Sequence, residues 1–328
     1  MSSLTIAYDA AAQAVNDKPM RVGMVTDVGG VNDQSFNQSA WEGLQKAKKE
    51  LGVKVSYQES KQDADYAANL ETLYDAGNDL VWGIGFKMAD ALLKAAKQNP
   101  KQKYAIIDYS YGDATPPNVI GVVFNAAEGA FLAGYIAVKM SKTNSIGFIG
   151  GMNVPVVQAF QYGYKAGAKF ANPKITILEQ YAESFTDAAK GKAIANQMIL
   201  KGCDVLFPAA GAVGDGVIEA VKEKNKMAIG VDRDQNYLAP KNVITSSMKR
   251  VDNAIFNVVS DLKKGKFKGG ITISYGLKDG AVDIAPTTPK MIPTALMKEV
   301  TILKKKIADV KIKVPGDERA YVVFAKTL

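Results

Sequence analysis

TDVGGVNDQSFNQSAWEGLQKA (residues 26–47) joins an apolar, strand-like run to an amphipathic, helix-like one through Gly29, Gly30, Asp27, Asp33 and several small polar residues. The run before it, MRVGMVT (20–26), is short and β-branched, and the run after it repeats its apolar residues at helical spacing. A strand that enters a helix through a glycine-bearing turn is the first half of a βαβ unit. Such a turn lies at the carboxyl end of a parallel strand, where ligands of open α/β sheets sit. That leaves three uses for the junction: cradling a phosphate, acid/base chemistry, or gripping something neutral.

The same alternation runs on. Strands are predicted at 20–26, 54–59, 80–85, 103–109 and 119–125, with helices at about 35–51, 63–76 and 88–98 between them. A second series opens with a helix at about 126–141, AAEGAFLAGYIAVKMS, whose alanines and glycines suit close packing. It continues with strands at 145–150, 174–181, 204–210, 227–232 and 243–249 and helices at about 155–171, 187–200 and 214–223. Two doubly wound, Rossmann-like lobes follow. The tail predicts a helix near 251–264, a Gly-rich strand pair near 269–284, a helix over about 293–309 and a last strand, AYVVFAK. These elements are too few for a third core and must complete the first two sheets. The chain is thus expected to cross between lobes near Asn125, near Lys249 and between Gly276 and Ile284. The expected division is 1–18 outside the core, 19–124 with about 250–280 in lobe one, and 125–249 with about 281–328 in lobe two.

The 328 residues suit about two domains of ordinary size. Hydrophobic residues at 47% and charged ones at 23% describe a globular chain, with no apolar run of the roughly 18 residues that span a bilayer. The net charge of +8 comes from lysines scattered over helical faces, as in LQKAKKELG and ILKKKIADVKIK, and no nucleic-acid reader motif accompanies it. No nucleic-acid partner is expected. The single cysteine, Cys203, and the absence of histidine exclude a disulfide framework, Cys/His zinc sites and a Ser-His-Asp triad.

The phosphate use fails on spacing and on charge. Neither G-x-G-x-x-G nor G-x-x-x-x-G-K-[ST] occurs, GAVGDG (211–216) being the nearest approach, and Asp27, Asp108 and Asp232 end three strands where they repel an anion. For the enzymatic use, these aspartates fall in different lobes and form no compact metal loop, so neither metal nor cofactor is expected. Asp33, or Ser35, serves helix entry. A cleft for a neutral, hydroxyl-rich and aromatic molecule fits best: carboxylates accept paired hydrogen bonds, Asn37 donates and accepts, and aromatics offer stacking faces. Phe36, Phe86 and Tyr109 face Phe160 and Phe207 if both lobes open on one cleft. An ordinary core position competes for each phenylalanine. It is the stronger reading for Phe86 and Phe160 taken alone, and Phe207, inside a strand just before Pro208, is open between the two.

VGMVTDVGGVNDQSFNQSAWEGL, GIGF, NVIGVVFNAAEGAFLAGYIA, IGFIGGMNVPVVQAFQYGYKAG, DVLFPAAGAVGDGV, IGVDRDQ, ITSSMKR, VDIAPTTP and IKVPGD follow one another from about residue 20 to about 315. Together they resemble the basic membrane protein family, substrate-binding lipoproteins of ABC transporters similar to purine nucleoside receptors. The resemblance implies a type I periplasmic-binding-protein fold whose lobes close on a nucleoside. By motif position, Asp108 would read the base edge, Phe207 would stack on the base, Asn37, Asp232 and Lys249 would meet the ribose, and Asp27 and Gly211 would line the site. Some relatives carry an aromatic near the position of Thr26, which leaves Phe36, GIGF or DYSYGD to supply the second ring, or else implies a different ligand. The implied partners are a nucleoside of the adenosine, guanosine or inosine class, ABC permease subunits and the membrane through a lipid anchor. A monomer is expected, outside the cytoplasm. MSSLTIAYDAAAQAVNDKPM (1–20) has neither secretory signal nor lipid-attachment cysteine, and both are expected to have been trimmed. The competing readings are a same-fold receptor for riboflavin or a sugar, a nucleoside-processing enzyme, and a ligand-sensing regulator, for which no helix-turn-helix precedes residue 19.

Overall fold

The computed structural model describes residues 18–328, so the expectation for the segment before them lies outside the described residues. The first sheet holds β1 (Arg21–Thr26), β2 (Lys54–Glu59), β3 (Leu80–Ile84), β4 (Lys103–Ile107), β5 (Val119–Phe124) and β11 (Ile271–Tyr275). The second holds β6 (Ser145–Gly150), β7 (Thr176–Tyr181), β8 (Val205–Ala209), β9 (Met227–Asp232), β10 (Val243–Lys249) and β12 (Val282–Ile284). The helices are α1 (Phe36–Leu51), α2 (Tyr66–Asp75), α3 (Ala89–Gln98), α4 (Ala126–Met140), α5 (Pro155–Ala171), α6 (Ala188–Leu200), α7 (Val213–Glu223), α8 (Val251–Lys263), α9 (Thr288–Met291), α10 (Thr294–Ala308) and α11 (Glu318–Ala325).

The two sheets repeat one order. The first runs β2-β1-β3-β4-β5-β11 and the second β7-β6-β8-β9-β10-β12, parallel throughout except for the antiparallel β10–β12 pair. Order reverses beside the first strand of each lobe, between β1 and β3 and again between β6 and β8, and these are the two switch points. Both sheets are covered on both faces, so β3, β6 and β8 are buried along their whole length. Trp82, Tyr104 and Met24 fill the first core, and Phe131, Phe148, Tyr164 and Phe207 the second. This is the type I periplasmic-binding-protein fold.

The chain leaves the first sheet at Phe124 and enters α4 of the second lobe. It returns after Lys249 into α8, which packs on α1, and leaves again between β11 and β12. Backbone hydrogen bonds tie these crossings together, from Asn125 N to Tyr275 O at 2.8 Å and from Arg250 N to Ala281 O at 2.7 Å.

Two tail elements depart from the sequence expectation. AYVVFAK is α11, not a strand. Asp317 caps it through the Ala320 N–H at 2.8 Å, and Tyr321 and Phe324, three apart on one helical face, pack on Tyr162 and Phe131. The Gly-rich pair near 269–284 does not pair with itself, because β11 adds to β5 and β12 to β10.

The α4–α5 contact shows why small residues crowd this segment. A Cβ at Gly167 would fall inside the van der Waals envelope of the Phe131 carbonyl. Gly167→Ala is therefore expected to cost about 1–3 kcal/mol of stability by forcing the two helices apart. Denaturant unfolding checks this, and an unchanged midpoint would show that the helices can separate freely.

Candidate functional site

The carboxyl ends of both sheets meet across one cavity, lined by the turns after β1, β3 and β4 on one side and by the exits of β6, β7, β8, β9 and β10 on the other. Asp27, Phe36, Asn37, Phe86 and Asp108 line it from the first lobe, and Phe160, Gly211, Asp232 and Lys249 from the second. Phe207 does not.

In the first lobe the opening turn organises itself around Asp33. Its carboxylate accepts from the backbone N–H of Ser35 at 3.0 Å, Asn37 at 2.8 Å and Gln38 at 3.0 Å, so it satisfies the free donors at the start of α1. Asn37, inward-facing on the first turn, donates from one Nδ2 to both Asp27 Oδ1 (2.8 Å) and Asp33 Oδ2 (2.9 Å). With both amide hydrogens taken by carboxylates, Asn37 Oδ1 is left buried with no hydrogen-bond partner. Glycine is needed at Gly85, after β3, where φ is 111° and a side chain would approach Phe36 and Asp27.

The second cluster centres on Lys249. Its Nζ lies 2.7 Å from Asp108 Oδ2 in the opposite lobe and 3.8 Å from Asp232 Oδ1, and it sits 4.4 Å from the centre of the Phe36 ring. Asp108 and Asp232 occupy equivalent places, each at the end of the fourth strand of its lobe. Both have left-handed backbones, with φ of 63° and 62°, a strained conformation for a residue with a side chain. Asp232 Oδ2 accepts from Ser35 Oγ at 2.5 Å, a second bond between lobes, while Asp232 Oδ1 is buried without a hydrogen-bond partner.

Burial pushes the carboxyl pKa of Asp27, Asp33 and Asp232 upward, against the hydrogen bonds that Asp27 and Asp33 accept and, for Asp232, against Lys249 and Ser35. Burial works against the Lys249 ammonium too, but Asp108 and Asp232 outweigh it and hold its pKa above the ordinary lysine value. Asp215, in the first turn of α7, is pushed up to about 6 by burial and by the charge of Asp33. The folded protein then binds a proton there more tightly than the unfolded chain, so this carboxyl costs stability as pH rises from about 4 to about 6. Asp215→Asn is expected to raise the thermal midpoint at pH 7 and above and to leave it unchanged below about pH 4. A scan of melting against pH reads both limbs, and an equal shift at every pH would place the effect elsewhere.

Phe207, expected to offer a ring to the cleft, does not line the cavity. Phe207 is fully buried in the second core, 5.1 Å from Tyr164 and 5.6 Å from Phe148 between ring centres. It stands behind Phe160, which does line the cavity. Phe185, in YAESFTD after β7, lines the cavity in its place. The strand-end rule reaches it, since it lies between the end of a predicted strand and the next helix. Asp33 and Val231 also line the wall. Tyr109 instead packs edge-on against Tyr111, and Thr26 is wholly buried.

Two lobes of the same strand order, hinged by three crossings and closed over a cavity with aromatic and carboxylate walls, define a two-lobed solute-binding protein. Residues 20–318 match the family described as ABC transporter substrate-binding protein PnrA-like, and the chain belongs to this family. It is 46% identical over 310 residues to basic membrane protein A of Borreliella burgdorferi, covering 93% of this chain and 91% of that one. It is 40% identical over 336 residues to basic membrane protein B of the same organism, covering 99% and 96%. Among solved structures it resembles an ABC transporter solute-binding protein from Aeropyrum pernix K1, with a TM-score of 0.84 and 30% identity over 94% of this chain and 98% of that one. Family and fold are those of substrate-binding proteins, and such proteins work outside the cytoplasm. No helix among the described residues is long and apolar enough to cross a membrane.

Proposed function

We propose that the cavity binds a nucleoside, a purine nucleoside of the adenosine, guanosine or inosine class, and that the closed protein delivers it unchanged to an ABC permease. The observation that carries this is a pair of buried acceptors that receive no hydrogen bond, Asn37 Oδ1 and Asp232 Oδ1, the second with only the Lys249 ammonium 3.8 Å away, in a cavity whose walls are otherwise largely aromatic and aliphatic. A buried acceptor left unpaired costs about 1–3 kcal/mol, and vicinal hydroxyls carry the donors that remove this cost. Asn37, Asp232 and Lys249 are the ribose contacts in this reading. Asp108 reads the base edge with Oδ1, its Oδ2 being committed to Lys249. Phe36 and Phe86 from one lobe and Phe160 and Phe185 from the other supply the faces for the ring, and Asp27 and Gly211 complete the wall. The protein acts as a monomer, tethered by lipid at the outer face of the membrane.

Charge sets the class of ligand. Asp27, Asp33, Asp108 and Asp232 line the cavity against Lys249, the one cation lining it among the described residues. A nucleoside is therefore expected to bind about a hundredfold or more tightly than its 5′-monophosphate, whose charge meets those carboxylates in a buried site. Calorimetric titration with adenosine, guanosine, inosine, cytidine and inosine 5′-monophosphate tests both statements. Heat from the purine nucleosides alone supports the reading, whereas no heat from any nucleoside, or equal affinity for the monophosphate, overturns it. Chromatography of the same mixtures checks that no free base is released, as a binder requires.

A further inference from the structure

A second set of contacts joins the lobes outside the cavity. Arg233, just past the end of β9, donates to Glu42 on α1 through Nη2 at 2.6 Å and Nε at 3.2 Å, a paired contact with both carboxylate oxygens. Its Nη1 also donates to the Tyr237 hydroxyl at 3.0 Å. That hydroxyl donates in turn across the gap to Gln34 Oε1 at 2.5 Å, and Gln235 Nε2 donates to the Gln34 carbonyl at 3.0 Å. Gln34 has a left-handed backbone, φ 55°, which costs energy for a residue with a side chain and turns its carbonyl and side chain to the facing lobe. On the other side Gln235 is fixed in place, since its Oε1 accepts from Val231 N at 2.8 Å and its own N–H donates to Ser246 Oγ at 3.1 Å. None of these side chains lines the cavity.

Bonds between lobes exist only when the lobes are shut, so each one shifts the open–closed equilibrium by its full net strength. We propose that Gln34, Glu42, Arg233, Gln235 and Tyr237 form a latch that holds a substantial fraction of the protein closed with nothing in the cavity. The latch then determines ligand affinity and release without touching the ligand. Glu42 and Tyr237 are about half exposed, so the latch is screened by salt and can open. Such a device suits a carrier that must let go of its cargo. It holds whatever the ligand is, and its test needs none.

Nitroxide labels at Lys97→Cys in the first lobe and Lys224→Cys in the second, both exposed, report lobe separation by pulsed electron resonance, and the native Cys203 is buried. The protein is first stripped of small molecules by unfolding and refolding. A short-distance population is expected in the ligand-free protein. Arg233→Ala or Glu42→Ala should lower the closed-to-open ratio about fivefold, the size of a well-formed exposed ion pair, and 0.5 M salt should do the same. Glu42→Arg combined with Arg233→Glu should restore part of the short distance, which simple loss of packing does not. A ligand-free protein that is wholly open, or distributions identical in all variants, overturns the latch and leaves the nucleoside reading untouched.

Discussion

Replacing Lys249 by methionine is expected to open the protein rather than unfold it. The ammonium is almost fully enclosed, 6% exposed, and lies between a carboxylate of each lobe. Removing one partner of such a buried group costs about 3–5 kcal/mol, because the charges left behind have neither water nor a counter-ion. Here the stranded carboxylates sit on opposite lobes, so parting the lobes rehydrates both. The penalty then falls on closure and not on either core. Ligand affinity should drop about a hundred- to a thousandfold while the thermal midpoint of the ligand-free protein moves little. The pH dependence has a definite sign. Asp232 already has a raised pKa from burial, and losing the neighbouring ammonium raises it further, so closure of the variant should recover as pH falls and the Asp232 carboxyl takes up a proton. In the wild type the lysine pKa is raised, so its contribution holds through neutral pH and is lost only in strong alkali. Adding Asp108→Asn to Lys249→Met should return part of the lost affinity by removing one stranded charge. Calorimetry from pH 5 to 8 reads the loss of affinity and its recovery, and unchanged affinity in Lys249→Met would show that the ammonium neither closes the cleft nor meets the ligand.

The two series of strands and helices were legible because parallel strands covered on both faces are continuous apolar runs, as at Leu80–Ile84 and Lys103–Ile107. The rule that ligands gather beyond strand carboxyl ends pointed to Asp27, Asn37, Asp108 and Asp232, the family resemblance added Lys249, and all five line one cavity. Where both faces of a strand are buried, however, alternation carries no information. That is why β8 did not reveal that Phe207 faces the core while Gly211, just past its end, faces the cavity. The tail failed for a different reason. Val322 and Val323 look like strand, but both are exposed, and the Asp317 cap together with the packing of Tyr321 and Phe324 outweighs local preference. Partners such as Ser35 and Asp232, or Glu42 and Arg233, lie in different lobes, and no local pattern pairs them.

The separation of Phe207 from Phe185 has opposite consequences for two similar substitutions. Phe207→Ala removes a ring that is wholly enclosed by Phe148, Phe160 and Tyr164, and the rigid aromatic cluster cannot collapse to fill the space. The expected cost is about 3–5 kcal/mol of stability, with a fall in thermal midpoint of about 10 °C. Its effect on binding should be small, passed on through the loss of support behind Phe160. Phe185→Ala deletes a partly exposed ring of the cavity wall and strands little core, so the midpoint should hold. If the ring stacks on a base, binding should weaken by about 1–3 kcal/mol, about 5- to 150-fold. Measuring melting and calorimetric affinity for both variants gives a crossed pattern that neither variant alone can mimic. Were Phe207→Ala to lose affinity at full stability while Phe185→Ala melted early, the assignment of core and wall between these two rings would be reversed.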